Sequence, residues 1–220
     1  MSRKFAVIGM QWAGSVLAEH LSALGYDVLG IDADEKLVEE LSDRLSGVRL
    51  VAADAQHTSV LRDLGLESFD GAAVTVEEDV QASVIIAITL KNLGVPLVVA
   101  RAINPIHAQI LEHVGADRVT RPEEESGAYI ARLMASRYLR RYLDLGGGEA
   151  LAEVEVPDGW AGKSLSELRL PQEQGLTVLL ERAQTGGTLP DGDTVLHKGG
   201  TVVVWGKKED LDGSDLLPDE

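Results

Sequence analysis

Short apolar runs alternate with amphipathic stretches through the first two-thirds of the chain, and that alternation constrains the fold more tightly than any other feature of the sequence. KFAVIG, DVLGID, VRLVAAD, DGAAVTV, PLVVARA and DRVTR are each long enough for a strand, and all but the last are largely apolar. Such runs suit parallel strands covered by helices on either side. Helical patterning fills the gaps between them, at residues 14–24, 35–45, 57–64, 80–93 and 105–113. The regular exchange of strand and helix predicts a doubly wound parallel α/β sheet. Gly25, Gly47, Gly65, Gly94 and Gly115 stand where each helix returns to a strand, the position of a left-handed helix cap.

Beyond this region the texture changes. Pro122 and three acids open a longer helix that is expected to run through Tyr129, Ile130, Leu133, Met134, Tyr138 and Tyr142 and to end at the glycines 146–148. Arg132, Arg137, Arg140 and Arg141 are interleaved along it, which leaves a solvated face, a domain bridge and a subunit contact all open. After the glycines, strand-like LAEVEV, TVLLER and TVVVWG are separated by turn-rich PDGWAGKS and TLPDGDTVLHKGG, with one short helix at 164–168. This reads as a small β-rich α+β domain of about 65 residues joined by a glycine linker. The expected division is therefore 1–145, including the long helix, then 149–210, then an acidic, mobile tail at 211–220.

A chain of 220 residues is long enough for two unequal domains with a core each. An aromatic content of 4% predicts cores built from Val, Leu, Ile and Ala. Thirty-six acidic against 20 basic side chains leave a net charge of −16, which repels phosphate polymers and anionic lipid and excludes nucleic acid as a partner. A small anionic nucleotide is still admissible, because backbone N–H groups at a helix start act locally. The absence of cysteine rules out disulfides and thiolate metal sites, and the cytoplasm fits best. No apolar run approaches the roughly 18 residues of a membrane span, and SRK leads straight into a strand without a signal-peptide core, so direct membrane insertion is not expected.

The loop GMQWAG, residues 9–14, follows the first strand and opens the first helix. A dinucleotide-binding fingerprint has glycine at its first, third and sixth places, and here the third is Gln11. Asp32 ends the second strand 18 residues after Gly14. A carboxylate there can accept the ribose hydroxyls of an adenosine, while Gly9 permits the turn and Gly14 lets helix and strand approach. Small residues at a first βα turn are common to all α/β proteins, so the reading rests on the loop and Asp32 together. Gln11 should push phosphates outward or hold them by its amide, and Trp12 and Ala13 add no charge. The adenosine end is thus expected to be recognised better than the phosphate chain. Asp54, ending the third strand, either caps the next helix or lines an adenine pocket with Ala55. Glu123, Glu124 and Glu125 suit a helix N-terminus and equally offer oxygen ligands to Mg²⁺ or Ca²⁺. The five histidines show no metal-ligand spacing, and no Ser/His/Asp order suggests a nucleophile.

FAVIGMQWAGSVLAEHLSALGYDVLGIDADEKLVEEL, VAADAQHTSVLRDLGL and AAVTVEEDVQASVIIAITLKNLGV together resemble the RCK domain of Trk/Ktr-type potassium-uptake regulators. GADRVTRPEEESG resembles the segment leading into that family's crossover helix, and GKSLSELRL with PDGDTVLHKGGTVVVWG is similar to the TrkA C-terminal domain. The resemblance covers almost the whole chain. It implies a Rossmann-like doubly wound sheet, a crossover helix and a small C-terminal domain. It implies a regulatory subunit and not an enzyme, forming homodimers that assemble into a ring. It implies a cytoplasmic protein, peripheral at the inner face of the cell membrane through a membrane-embedded potassium channel or transporter subunit. An adenine nucleotide (ATP, ADP or NAD(H)) is implied in the N-terminal cleft, and cyclic di-AMP binds the C-terminal domain of some members. By position, Gly9, Met10, Gln11, Trp12, Ala13, Gly14, Asp32 and Ala33 would hold the nucleotide, and Asp54 and Ala55 would border the adenine. Thr75 and Val76 would lie at the end of the fourth strand. Glu123 matches an acid that in some members ligates a divalent cation near the nucleotide at the dimer interface. Two departures bear on the choice between ATP and ADP: Gln11 replaces a glycine, and Trp12 stands where many members carry an arginine that reaches the terminal phosphate.

Two other classes compete. A nicotinamide-dependent oxidoreductase would share the first domain but needs a second one that brings a proton donor and substrate pocket to the cofactor. The small β-rich domain, with the single histidine His197, is poorly equipped for that. A nucleotide-sensing transcriptional regulator needs a basic DNA-reading segment, and the sequence has none.

Overall fold

The computed structural model describes residues 2–183, 186–214 and 216, which form two compact units dividing between Glu124 and Glu125. The first unit runs β1 (Lys4–Ile8), α1 (Trp12–Ala23), β2 (Asp27–Asp32), α2 (Glu35–Arg44), β3 (Val48–Ala52), α3 (Thr58–Asp63), β4 (Gly71–Val74), α4 (Val80–Asn92), β5 (Val98–Arg101), α5 (Pro105–His113) and β6 (Arg118–Thr120). The strands make one parallel sheet in the order β3-β2-β1-β4-β5-β6. Alternate side chains of β1 supply both faces: Ala6 and Ile8 join one buried cluster with Ile31, Val74 and Leu90, while Val7 joins another with Met10, Ala18 and Leu41. Strand order reverses between β1 and β4, and ligands of such sheets bind outside the carboxyl ends of the strands at that switch point.

Local chemistry sets the element ends. Asp34 caps α2 by accepting from the N–H groups of Lys36 and Leu37, Asp79 caps α4 through Ala82, and Asn104 caps α5 just before Pro105. Gly25, Gly65, Gly94 and Gly115 take the expected left-handed conformation, with φ of 84°, 73°, 82° and 98°. Gly47 does not belong with them. It is small for packing, since a Cβ there would lie 2.3 Å from Ser22 Oγ.

The helix α6 (Pro122–Ala135) carries the chain into the second unit, followed by β7 (Leu139–Gly146), β8 (Glu149–Glu155), α7 (Leu165–Leu168), α8 (Leu170–Glu173), β9 (Thr177–Ala183), β10 (Gly186–Thr188), β11 (Thr201–Lys207) and α9 (Lys208–Asp212). Its sheet is antiparallel, in the order β10-β9-β11-β8-β7. Ala150, Ala152 and Val154 of β8 and Val202 and Val204 of β11 point inward onto Trp160, Leu176 and Leu196.

Three expectations are corrected here. The helix expected to reach Tyr142 stops at Ala135, and residues 139–146 are a strand, with Leu139 opposite Val154 and Tyr142 opposite Ala152. Gly146, Gly147 and Gly148 have φ of 79°, 62° and 86°, so they fold β7 back onto β8 as a hairpin turn within the second unit instead of linking two domains. The tail expected to be mobile from Leu211 instead begins as part of the core: Leu211 and Leu216 are buried, and Ser136 Oγ donates to the Leu216 carbonyl. Residues 215 and 217–220 of that tail lie outside the described residues.

Candidate nucleotide-binding site

The carboxyl ends of β1, β2, β3 and β4 surround a cleft of about 230 Å³ in the first unit. Gly9, Gln11, Asp32, Ala33, Asp54, Ala55 and Val76 line it, so seven of the residues singled out from the sequence converge on one cavity.

The loop after β1 is shaped by contacts that leave no room for larger residues. Gly9 has φ of 94°, and a Cβ there would lie 2.7 Å from the Val76 backbone nitrogen. At Gly14 a Cβ would lie 1.9 Å from the Gly9 carbonyl oxygen. Thr75, buried at the end of β4, fixes the same turn: its hydroxyl lies 2.6 Å from the Gly9 carbonyl oxygen and 3.1 Å from that of Ile8. Met10 is fully buried and packs beneath Gly30, so its side chain is absent from the cleft. Its backbone N–H nevertheless organises the site by donating to Asp32 Oδ2 at 2.6 Å, while Asp34 N–H donates to Oδ1 at 3.0 Å. These bonds hold the carboxylate at the strand end and leave lone pairs on both oxygens for two hydroxyl donors. The first-turn N–H groups of α1 lack intrahelical acceptors and offer a site for phosphate.

Trp12 and Ala13 do not line the cleft. Trp12 begins α1 and is 75% exposed, bordering a separate groove with Ser15, Leu37, Leu41 and Arg44. Asp54 lines the cleft but does not cap the next helix: the N-cap position of α3 is His57, without a side-chain cap bond, and Asp54 Oδ1 accepts from Gln56 N–H at 2.9 Å in the turn before it.

Gln56, Glu77, Glu78, Asp79, Ala82 and Ile86 also line the cavity, and sequence reasoning did not single them out. The acids EED directly after the fourth strand were the available signal. Arg101 was also missed, being one cation at the end of an apolar run. Its guanidinium lies 3.7 Å from Glu77 and pairs with Glu123. The Glu123 carboxyl is held below its ordinary pKa by a hydrogen bond from its own backbone and by Arg101. Glu124 pairs with Arg121 at 2.7 Å. Among the described residues no three His, Asp or Glu side chains are grouped to hold a metal ion. On this chain the partner of Glu123 is Arg101.

The second unit has its own groove of about 560 Å³, with Leu165, Leu170, Pro171 and Val178 as apolar walls and Arg169 and Asp191 at its edge. Arg169 has φ of 48°, the one non-glycine residue in the left-handed region among the described residues.

Comparison with known proteins agrees with this architecture. The TrkA-N domain family matches residues 5–122 and the TrkA-C domain family residues 151–213. "Ktr system potassium uptake protein C" of Bacillus subtilis is 31% identical over 212 residues, covering 96% of this chain and 95% of that one. "Ktr system potassium uptake protein A" of Vibrio alginolyticus is 30% identical over 210 residues, covering 95% and 94%. Among solved structures, the GsuK channel bound to NAD matches the fold with a TM-score of 0.69 at 19% identity, over 100% of this chain and 40% of that one. With both domain families matched in order and relatives similar along nearly their whole length, the chain belongs to the TrkA-N/TrkA-C family of potassium-uptake proteins.

Proposed function

We propose that this protein is a cytoplasmic regulatory subunit of a Ktr/Trk-type potassium channel or transporter and that an adenine nucleotide, ATP, ADP or NAD(H), bound at the first unit sets its state. The observation that carries the nucleotide is Asp32, whose carboxylate is fixed by Met10 and Asp34 on the cleft wall with acceptor capacity to spare for a ribose. The names of the Bacillus and Vibrio relatives support the potassium system, and the NAD-bound channel with the same fold supports the ligand class. The oxidoreductase alternative is not favoured by these relatives.

No chemistry on the ligand is required. A nucleotide biases an assembly to the extent that it binds two arrangements unequally. No helix among the described residues is long and apolar enough to cross a membrane. Action through a membrane-embedded partner is supported by the names of the potassium-uptake relatives. Homodimers assembling into a ring are supported by apolar side chains left in water: Ile106 on α5 is 71% exposed and Met134 on α6 is 84% exposed, and no residue of α6 is buried. The C-terminal groove, with its conformationally strained Arg169, is the place for cyclic di-AMP as a second ligand. No step is assigned to Mg²⁺ or Ca²⁺.

The test is potassium uptake from low external potassium by the native host lacking this subunit. Restoration by the wild-type chain and not by Asp32→Ala is expected. Full restoration by Asp32→Ala would remove nucleotide control, and uptake indifferent to the subunit would remove the potassium assignment.

A further inference from the structure

A cleft that takes an adenine nucleotide must also accommodate its phosphates, and the walls of this one are acidic. Asp32, Asp54, Glu77, Glu78 and Asp79 line it, while none of the Lys, Arg and His side chains among the described residues does. Backbone hydrogen bonds orient several of these carboxylates without neutralising them: Gln56 N–H donates to Asp54 and Ala82 N–H to Asp79, each at 2.9 Å, and His57 Nε2, 3.5 Å from Asp54, offsets that charge only when the imidazole is protonated. Arg101 brings no spare positive charge, because its guanidinium is shared between Glu77, at 3.7 Å, and Glu123. What remains for phosphate is the start of α1, equivalent to about half a positive charge. Gln11, Trp12 and Ala13 add no cation to it. A phosphate monoester carries up to about two negative charges near neutral pH, and each further phosphate adds to the total without meeting a further cation.

We infer that the cleft selects adenosine ligands of low charge, preferring AMP and NAD to ADP and ATP, and that Glu77 and Glu78 set the preference. In NAD the nicotinamide cation offsets part of the diester charge. The inference rests on the nucleotide reading of the cleft and names the ligand class that reading leaves open.

Calorimetric titration of the full chain with AMP, NAD, ADP and ATP, in buffer holding EDTA, tests it against the Glu77→Gln/Glu78→Gln variant. Wild type is expected to bind AMP and NAD about tenfold or more tighter than ATP, and the variant to gain about tenfold for ATP with AMP changed less than about twofold. Glu78→Gln alone, at an exposed position, should show part of the same gain if the double variant folds poorly. ATP binding to wild type as tightly as AMP, or a preference unmoved by either variant, overturns the inference and leaves the nucleotide site standing. Failure of all four ligands to bind removes the site and the inference together.

Discussion

Asp32 organises the loop by accepting from the Met10 and Asp34 N–H groups, and under the proposed function the same carboxylate meets a ribose, so the residues around it should tolerate little change. Gly14→Ala puts a methyl 1.9 Å from the Gly9 carbonyl oxygen, a clash with backbone that only movement of the loop relieves. It is expected to cost about 3 kcal/mol in denaturant unfolding of the first unit and to abolish nucleotide binding. Thr75→Val removes the hydroxyl that bonds Gly9 and Ile8 and should cost about 1–2 kcal/mol, with weaker binding by calorimetry. His107 is a separate case. It is buried on α5, its Nδ1 lies 3.4 Å from the Ile103 N–H, and desolvation lowers its pKa from 6.5. The unfolded chain therefore takes up this proton first as pH falls, and stability drops below about pH 6.5 while it is fully present above. Denaturant midpoints between about pH 7.5 and about pH 5.5 should fall for the wild type and fall less for His107→Gln.

At the scale of elements, the clearest prediction concerns the segment after α9. Leu216→Ala should destabilise the second unit by about 2–4 kcal/mol, read by chemical denaturation, because Leu216 packs in the core with Leu211 and Leu176. A mobile tail would tolerate the change. Such particulars show where the sequence was readable. β2 and α5 came out as patterned, because apolar runs between polar turns, and an Asn–Pro start with a glycine stop, leave one reading. RYLRRYLDL carries apolar residues at spacings that suit either period, and only three left-handed glycines and the pairing with β8 decide for a strand. The geometry of the candidate site was legible where a backbone rule fixed the residue, as at Gly9, Gly14 and Asp32. It was not legible where tertiary neighbours decide, as for Glu77 meeting Arg101, or for Trp12 facing away from the cleft.

At the scale of the whole molecule, a net charge of −16 coexists with exposed apolar side chains such as Ile106, Ile130 and Met134. Self-association that covers them is expected, and light scattering should give at least twice the 23.5 kDa of the chain. Met134→Glu should lower that mass, and a wild-type monomer at all concentrations would exclude the ring. The proposed nucleotide control depends on a ribose held by Asp32. Binding of AMP and of its 2′,3′-dideoxy analogue to wild type and to Asp32→Ala measures that contact directly. Loss of the hydroxyls should weaken wild-type binding about tenfold or more and make no difference to the variant, as two ends of one interaction require. Equal binding of both ligands to the wild type would contradict it.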